Sequence, residues 1–359
     1  MQNILSYLKK YKNKSFYEIE FNEIDNVIFS SISYSEFKEI IPENKNFIYL
    51  NDALIKFVNK YTIKQASKLG FAQKDSYKII KEVINSKRYR DVVVYGYRYI
   101  SDKNMQFCAM TYKVKGLFTY VAFEGTDHLL SGWKEDFEMV YIFPVSAHKE
   151  AIKYLNEMVG IFDKNLMIGG HSKGGNLALV ASMYCHPIIR HKIKRIYSND
   201  GQGLRKAQIE SKEYKKIENK LIQILPNYSI VGLLLRHNNN LTIIKSSRRD
   251  ILAHAVLTWE VEDKAFKRTK LSNISKKLDI SMIEWLDKND DSKRKKMITT
   301  IFKALEDVGI ENLYDIKSVK NAIKVIKSLS KIDKETKDIV FDFLSFNLTY
   351  VLSKNKGDE

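Results

Sequence analysis

The sequence of 359 residues contains little cysteine and little proline, and it has no long apolar segment. Its two cysteines, Cys108 and Cys185, stand in apolar stretches without a CxxC or Cys/His spacing, which predicts free buried thiols and no zinc site. No run of about 18 apolar residues occurs, and the N-terminal stretch is too charged for a secretory signal. From these absences we expect a soluble, cytoplasmic protein that holds no metal and no cofactor.

Acidic residues are also in deficit, since 60 Lys+Arg stand against 43 Asp+Glu and give a formal net charge of +17. A basic balance of this size favours anionic partners, among them a membrane surface or nucleic acid. The chain has no helix-turn-helix, RNP-type or zinc pattern, which argues against nucleic acid. Peripheral contact with an anionic membrane therefore stays open. The excess charge is spread along the chain and indicates no particular segment.

The spacing of apolar residues divides the chain into three parts. Residues 1–90 have apolar residues at helical spacing. From residue 91 onward, three runs rich in β-branched and aromatic residues are followed by alternating helix and strand patterns up to residue 263. This order predicts an α/β fold with a mostly parallel central sheet flanked by helices. Residues 264–359 are charged and helical, so we expect a helical C-terminal extension beyond one domain over 1–263.

Individual elements can be predicted within these parts. In the core, over residues 91–263, we expect strands at 166–170, 194–200, 221–226 and 241–247, and helices at 148–160 and 205–219. In the C-terminal extension we expect helices over 280–308 and 312–352.

The sharpest motif of the chain is LMIGGHSKGGNLALVAS. Residues Gly170 to Gly174 have the G-x-S-x-G pattern, and they lie between an apolar strand and an apolar helix. In that context Ser172 would be a nucleophile on a tight turn, and the N–H of Lys173 would point at a developing oxyanion. The alternative is a simple tight turn or a phosphate-binding loop, although the chain has neither G-x-G-x-x-G nor G-K-[ST] here.

A second oxyanion donor can be sought in the loop after an earlier strand. Gly125 and Thr126 follow the strand pattern GLFTYVAFE, and Thr126 would offer both its N–H and its hydroxyl. The alternative is an ordinary turn into a helix, capped by Thr126 or Asp127.

Several motifs together resemble a known family. AFEGTD, GWKEDF, GGHSKGGNLA, YSNDGQG, LPNYSIVGLLL and HAVLTWEV, with FNEIDNVIFSSISYSEF near the N-terminus, are similar to the Mbeg-like proteins, so the resemblance covers about residues 15–262. The Mbeg-like proteins are a mostly bacterial group of unknown function, and they are similar in turn to class 3 lipases. The resemblance implies an α/β-hydrolase fold and an esterase or lipase. Taken with the serine motif and the oxyanion loop, this lipase-like frame predicts a serine hydrolase that cleaves an acyl ester derived from a lipid.

The base of such a site follows from chain order. In α/β-hydrolases the histidine comes after the acid, on a loop beyond the last core strand, and His254 fits both conditions. His186 and His191 lie too near the end of the helix that follows the nucleophile. His237 stands in the polar segment RHNNN, which indicates a solvated side chain, and His171 is expected to pack under a neighbouring loop.

The acid is where the sequence departs from class 3 lipases. Those proteins carry an Asp just before an Ile/Val-Val pair, whereas this chain has Ser229 in that position. Asp200, at the end of a strand, and Asp250, four residues before His254, are the candidates. We favour Asp200 because its strand is expected to neighbour the nucleophile strand. The alternatives are a Ser-His dyad oriented by Ser229 or Asn227, and a binding protein with weak or no activity.

Overall fold

The computed structural model describes residues 2–69, 71–102, 105–126, 130–238, 240–249 and 251–310. Its strands are β1 (Ile48–Tyr49), β2 (Val93–Ser101), β3 (Gln106–Val114), β4 (Phe118–Phe123), β5 (Leu166–His171), β6 (Ile193–Asn199), β7 (Leu221–Pro226), β8 (Leu241–Ile244), β9 (Val261–Glu262) and β10 (Ala265–Phe266). Its α-helices are α1 (Ile4–Tyr11), α2 (Glu23–Ile32), α3 (Leu50–Lys60), α4 (Ile63–Leu69), α5 (Phe71–Val83), α6 (Leu130–Glu138), α7 (Ser146–Met158), α8 (Lys173–Tyr184), α9 (Pro187–Lys192), α10 (Lys206–Ile209), α11 (Lys212–Lys215), α12 (Asn273–Lys288) and α13 (Asp291–Glu306).

Strands β1 to β8 form one sheet in which spatial order equals chain order. The pairs from β1 to β4 are antiparallel, and the pairs from β4 to β8 are parallel. Strands β9 and β10 form a separate antiparallel pair. The predicted mixed α/β fold, with a mostly parallel central sheet flanked by helices, is therefore confirmed.

The sheet separates two apolar cores, because side chains alternate between its faces. On β4, Tyr120 and Ala122 face the core formed with the N-terminal helices, whereas Val121 and Phe123 face the core formed with α7 and α8. Parallel strands that follow one another in simple order receive their right-handed crossover helices on the same face. The other face is left for α1 to α5 to cover.

Helix α2 is almost wholly buried, yet it packs on the sheet through a stripe of polar side chains. The Asn26 side-chain amide donates to the Asn199 side-chain oxygen at 2.8 Å, and the Tyr120 hydroxyl donates to Asn26 Oδ1 at 2.7 Å. Ser30 and Tyr120 share a further hydroxyl hydrogen bond of 2.8 Å. Each of these buried polar groups has a partner, so the stripe fixes the position of α2 on the sheet.

A buried ion pair joins the N-terminal helices to the start of β2. Arg88 Nη2 and Nε lie 2.5 and 2.9 Å from the two carboxylate oxygens of Asp25, and both side chains are almost completely buried. The hydroxyls of Tyr7 and Tyr89 also donate to Asp25. The Arg88 side chain further donates to the backbone carbonyl of Ile19, so one cluster links α1, α2 and the turn before β2.

Most predicted elements are present at the expected places. The strand at 221–226 is found with those bounds, and the helix expected at 148–160 spans Ser146–Met158. The single helix predicted over 205–219 is wrong: two helices of four residues stand there, because the Ser211 side chain caps the second of them by accepting from the Tyr214 N–H. Both cysteines are free and buried, as expected.

Of the C-terminal helices, α13 packs on α6 and α12 packs on the 3-10 turn Val231–Leu233. Trp285, Met297 and Phe302 form an apolar cluster with Met139 and Val140. The helix predicted over 280–308 is thus divided in two, with Asp290 as the N-cap of the second part. The segment 312–352 lies outside the described residues, and the division of the chain at residue 263 stays a prediction. No described helix has both the length and the apolarity needed to cross a bilayer.

The Asp25–Arg88 pair gives a test of the N-terminal layer. Arg88→Met should lower the free energy of unfolding by about 3–5 kcal/mol, because it leaves a buried carboxylate without its counter-ion. Urea denaturation followed by circular dichroism measures the change. Arg90→Met is the matched control, since Arg90 is exposed and pairs at the surface with Asp91, so its effect should stay below about 1 kcal/mol. Equal losses in the two variants would contradict the assignment.

Candidate active site

The turn between β5 and α8 holds Ser172 in a conformation that L-residues rarely adopt, with φ 58° and ψ −133°. Its N–H donates to the backbone oxygen of Asn199 at 2.9 Å. A Cβ on Gly174 would lie 2.1 Å from the backbone oxygen of Phe123, so only glycine fits where α8 approaches β4. The G-x-S-x-G motif therefore forms the predicted tight turn from strand to helix.

Asp200 and His254 are in direct contact. Asp200 immediately follows β6 and is fully buried, and its Oδ2 accepts a hydrogen bond of 2.6 Å from His254 Nδ1. Because a carboxylate only accepts, Nδ1 carries a proton, and in the neutral ring the lone pair is then on Nε2. His254 ends the 3-10 turn Ile251–His254, and its side chain is 22% exposed. The carboxylate thus orients the ring and fixes its tautomer.

The side chain of Ser229 also binds Asp200. Its hydroxyl donates to Asp200 Oδ1 at 2.5 Å. A Cβ on Gly232 would lie 2.2 Å from the same oxygen, so the glycine leaves room for the carboxylate. Asn227 instead accepts from the Ser246 N–H. Among the described contacts, therefore, neither Ser229 nor Asn227 binds the His254 ring, and Ser229 supports the acid.

His171 packs against the loop that carries His254, as expected. Its Nε2 donates to the His254 backbone oxygen at 2.9 Å, and its Nδ1 lies 3.0 Å from the Tyr34 hydroxyl. The two histidine rings are tilted by 32° with centroids 4.3 Å apart. Burial and the nearby His254 hold the pKa of His171 well below its usual value of 6.5, so the ring is neutral. His171 therefore acts as a fixed support beneath His254.

The side chains of both predicted oxyanion residues bind helix α6. The Thr126 hydroxyl donates to Asp136 Oδ2, and Lys173 Nζ lies 2.5 Å from Glu135 Oε2. Lys173 is fully buried and also donates to the Gln106 backbone oxygen at 3.0 Å. These contacts fix the loop after β4 against the start of α8. The oxyanion role predicted for both residues consequently rests on their backbone N–H groups.

The structure gathers the predicted residues at one edge of the sheet. Ser172 and Asp200 lie at the carboxyl ends of the neighbouring parallel strands β5 and β6, and His254 binds Asp200. Between the described residues, no hydrogen bond joins the Ser172 hydroxyl to the His254 ring. The alternative acid Asp250 lies outside the described residues.

The other histidines that follow Ser172 in the chain are His186, His191 and His237. His186 and His191 are exposed beyond the far end of α8, as their position in the chain predicts. The interpretation of His237 as a solvated side chain is wrong. Gln223 Nε2 lies 2.6 Å from His237 Nδ1, and burial lowers the pKa of His237 to about 4. The polar sequence around it does not reveal that β7 covers the ring.

A family model described as Mbeg1-like matches residues 83–303, which is more than half of the chain. The chain belongs to the Mbeg1-like family. The match extends beyond residue 263, where we expected a domain boundary. It does not include the N-terminal motif FNEIDNVIFSSISYSEF, which was part of the resemblance. No curated protein and no solved structure matches the chain. Among the described residues of this Mbeg1-like protein, no group of three or more His, Cys, Asp or Glu side chains is arranged to hold a metal ion.

Sequence reasoning missed four supports of the Mbeg1-like site, which are Tyr34, Gln106, Glu135 and Asp136. The two carboxylates stand side by side in GWKEDF, between the aromatic residues of a half-buried helix, and adjacent acids in such a place can indicate a buried cation. Tyr34 and Gln106 give no comparable signal, because each is joined to the site only by the fold.

The environment of His171 predicts how its ring responds to pH. Around pH 6.5, where a solvated histidine takes up its second proton, His171 should stay neutral with its proton on Nε2, because burial and His254 oppose that proton. Long-range ¹⁵N–¹H NMR spectra measure the tautomer. In urea the same residue should titrate near 6.5, which is the internal control. Since the unfolded chain then binds the extra proton, the folded state loses stability as the pH falls below about 6.5. A His171 that becomes doubly protonated in the folded protein above pH 6 would contradict this.

Proposed function

We propose that this protein is a serine hydrolase that cleaves an acyl ester, with Ser172 as nucleophile, His254 as base and Asp200 as acid. The observation that carries the proposal is the 2.6 Å contact between buried Asp200 and His254, at the sheet edge where Ser172 occupies its strained turn. A strained serine between a strand and a helix is typical of a nucleophile. An aspartate–histidine pair with the proton on Nδ1 is what a general base requires.

We propose in addition that the fold is of the α/β-hydrolase type. In its support, the parallel strands β4 to β8 follow one another, and α8 begins directly after the serine. The acid follows the next strand and the histidine comes after the last strand of the sheet, in the order Ser, Asp, His.

In the first half of the reaction, Ser172 Oγ attacks the ester carbonyl carbon while His254 Nε2 takes its proton. Asp200 accepts from Nδ1–H and stabilises the imidazolium that forms. The oxyanion is bound by the N–H of Lys173, at the start of α8, and by the N–H of Thr126. The carbonyl re-forms, the bond to the alcohol oxygen breaks, and His254 gives its proton to the departing alcohol.

In the second half, water attacks the acyl-serine. His254 removes a proton from the water, the same N–H groups bind the second oxyanion, and the bond between Ser172 Oγ and the acyl carbon breaks. The proton returns from His254 to the serine, and the carboxylic acid leaves. In the free protein a catalytic hydrogen bond can be long and tighten only when substrate binds, which accommodates the separation of Ser172 from His254.

A lipid-derived acyl ester is the substrate class that we propose, because the resemblance implies a lipase-like frame around Ser172 and His254. Ile251 supports it, because this exposed apolar side chain lies on the same 3-10 turn as His254 and offers an apolar surface beside the base. One observation favours a binding protein instead: the Ser172 hydroxyl makes no hydrogen bond to the base among the described contacts. The two functions are separated by labelling of the serine.

The nucleophile is tested with a fluorophosphonate probe. Wild-type protein should form a covalent adduct, in which Ser172 Oγ bonds to phosphorus and fluoride leaves, and Ser172→Ala should form none. Intact-mass spectrometry detects the adduct. Ser182→Ala is the matched control, because Ser182 is buried on the same helix and donates to Ala178, so this variant should label fully. Labelling of Ser172→Ala would disprove the assignment, and no labelling of the wild type would favour the binding protein.

The acid is tested by Asp200→Asn. This variant should fold but lose about 10⁴-fold in kcat on a short-chain ester, because an amide cannot hold the His254 proton on Nδ1. Asp163→Asn is the control, since Asp163 is a buried aspartate bound to Lys113 at the opposite end of β5, and it should keep its activity per folded molecule. If Asp200→Asn stays active while Asp250→Asn is inactive, the acid is Asp250. A panel of esters with increasing acyl length then tests whether longer chains are preferred.

A further inference from the structure

The loop between α7 and β5 presents two bare apolar side chains to solvent. Phe162 is 90% exposed and Ile161 is 82% exposed, the highest values among the large apolar residues that the structure describes. Exposed apolar residues are common when they stand singly, but two adjacent ones at a loop tip are a candidate contact with an apolar partner.

The loop is held firmly in this conformation. The Asp163 carboxylate accepts from the Gly160 N–H at 2.7 Å and lies 2.5 Å from Lys113 Nζ. Lys192 Nζ donates to the backbone oxygens of Gly160 and Ile161. Contacts on both sides of the loop therefore hold the side chains of Ile161 and Phe162 in their exposed positions.

Positive charge surrounds the loop. The sequence from 164 to 199 contains no Asp or Glu, and its basic residues outside the serine turn are Lys164, Arg190, Lys192, Lys194 and Arg195. Lys220 donates to the Arg190 backbone oxygen, and its pKa is lowered by burial and by the charges of Lys194 and Arg190. Glu218 is an exposed carboxylate in the turn that carries Lys220, so basic groups outnumber acidic ones here.

We propose that loop 160–165, together with the exposed basic side chains at the start of β6, docks on an anionic lipid bilayer. Two side chains on one loop offer far less area than a stable protein interface needs. The same pair fits insertion at the boundary between head groups and acyl chains, while the surrounding lysines and arginines attract anionic head groups. The proposal does not depend on catalysis.

This docking surface and the candidate active site lie at opposite ends of the sheet. Loop 160–165 precedes β5, and Ser172 follows it. A strand of six residues is about 20 Å long, so Ser172 stands roughly that far from the membrane and faces away from it. A protein docked in this way takes its ester from the aqueous side.

Vesicle flotation of the full chain tests the proposal. The wild type should bind vesicles of phosphatidylcholine with phosphatidylglycerol, and should not bind vesicles of phosphatidylcholine alone. The double variant Ile161→Ser/Phe162→Ser should lose about tenfold or more of the partition coefficient. Lys194→Glu/Arg195→Glu should lose a similar factor, and added salt should weaken wild-type binding. Circular dichroism checks that both variants are folded.

Matched controls lie elsewhere on the surface. Phe47→Ser removes another exposed aromatic residue, 60% exposed, and Lys276→Glu/Lys277→Glu reverses two exposed charges on α12. Both should bind as the wild type does. Ser172→Ala should bind vesicles equally well. The proposal of membrane docking can therefore fail or hold independently of the proposed ester hydrolysis.

Three outcomes would overturn the proposal. One is a wild type that does not float with anionic vesicles. Another is a loop variant with unchanged binding, which would indicate adsorption by charge alone, and competition by duplex DNA would then assign the basic surface to nucleic acid. The third is a lipid-free dimer that Ile161→Ser/Phe162→Ser dissociates in sedimentation, which would assign the apolar pair to a second copy of the chain.

Discussion

The turn from β5 to α8 is the constraint on which the candidate site depends. Ser172 can hold its left-handed backbone only because α8 starts directly against β4, and that approach requires glycine at position 174. The same turn brings the Ser172 N–H to the backbone of Asn199, the residue before Asp200. One local conformation thus places the nucleophile beside the residue that precedes the acid.

Buried polar contacts connect the Ser172 turn to the segments around it. Lys173 follows the serine and pairs with Glu135 on α6, while Asp136 on the same helix accepts from Thr126. On the other side, His171 precedes the serine and binds the backbone of His254. Of the two neighbours of Ser172 in the chain, His171 therefore holds the His254 loop directly, and Lys173 holds helix α6, which in turn binds Thr126. A buried pair of this kind costs desolvation, and its benefit here is that it defines one position for each loop.

The sequence was informative where a local pattern determines the structure. The glycine spacing around Ser172 predicts the tight turn, and the apolar run LIQILP predicts β7 with its observed bounds. Chain order brought His254 and Asp200 into consideration, but their contact depends on how the loops after β6 and β8 meet. Ser229 could only be recognised as a missing acid, because its hydrogen bond to Asp200 spans 29 positions.

Contacts that the local pattern does not show also explain the two wrong predictions, which concern His237 and the helix over 205–219. RHNNN is polar along the chain, yet His237 is half-buried and its ring binds Gln223 of β7. The pattern over 205–219 is helical, yet a single serine cap at Ser211 divides it. In both cases one specific hydrogen bond outweighs the average composition of the segment.

The N-terminal helices, with the polar stripe of α2, are part of the folding unit although the family model does not match them. Residues before 83 lie outside the family match, but they supply Tyr34, Asn26 and most of the layer that covers one sheet face. A chain trimmed to the matched residues would expose Tyr120, Met167 and Tyr197 to water and leave His171 without its hydroxyl partner. The folding unit of this chain is therefore larger than the segment that the family model matches.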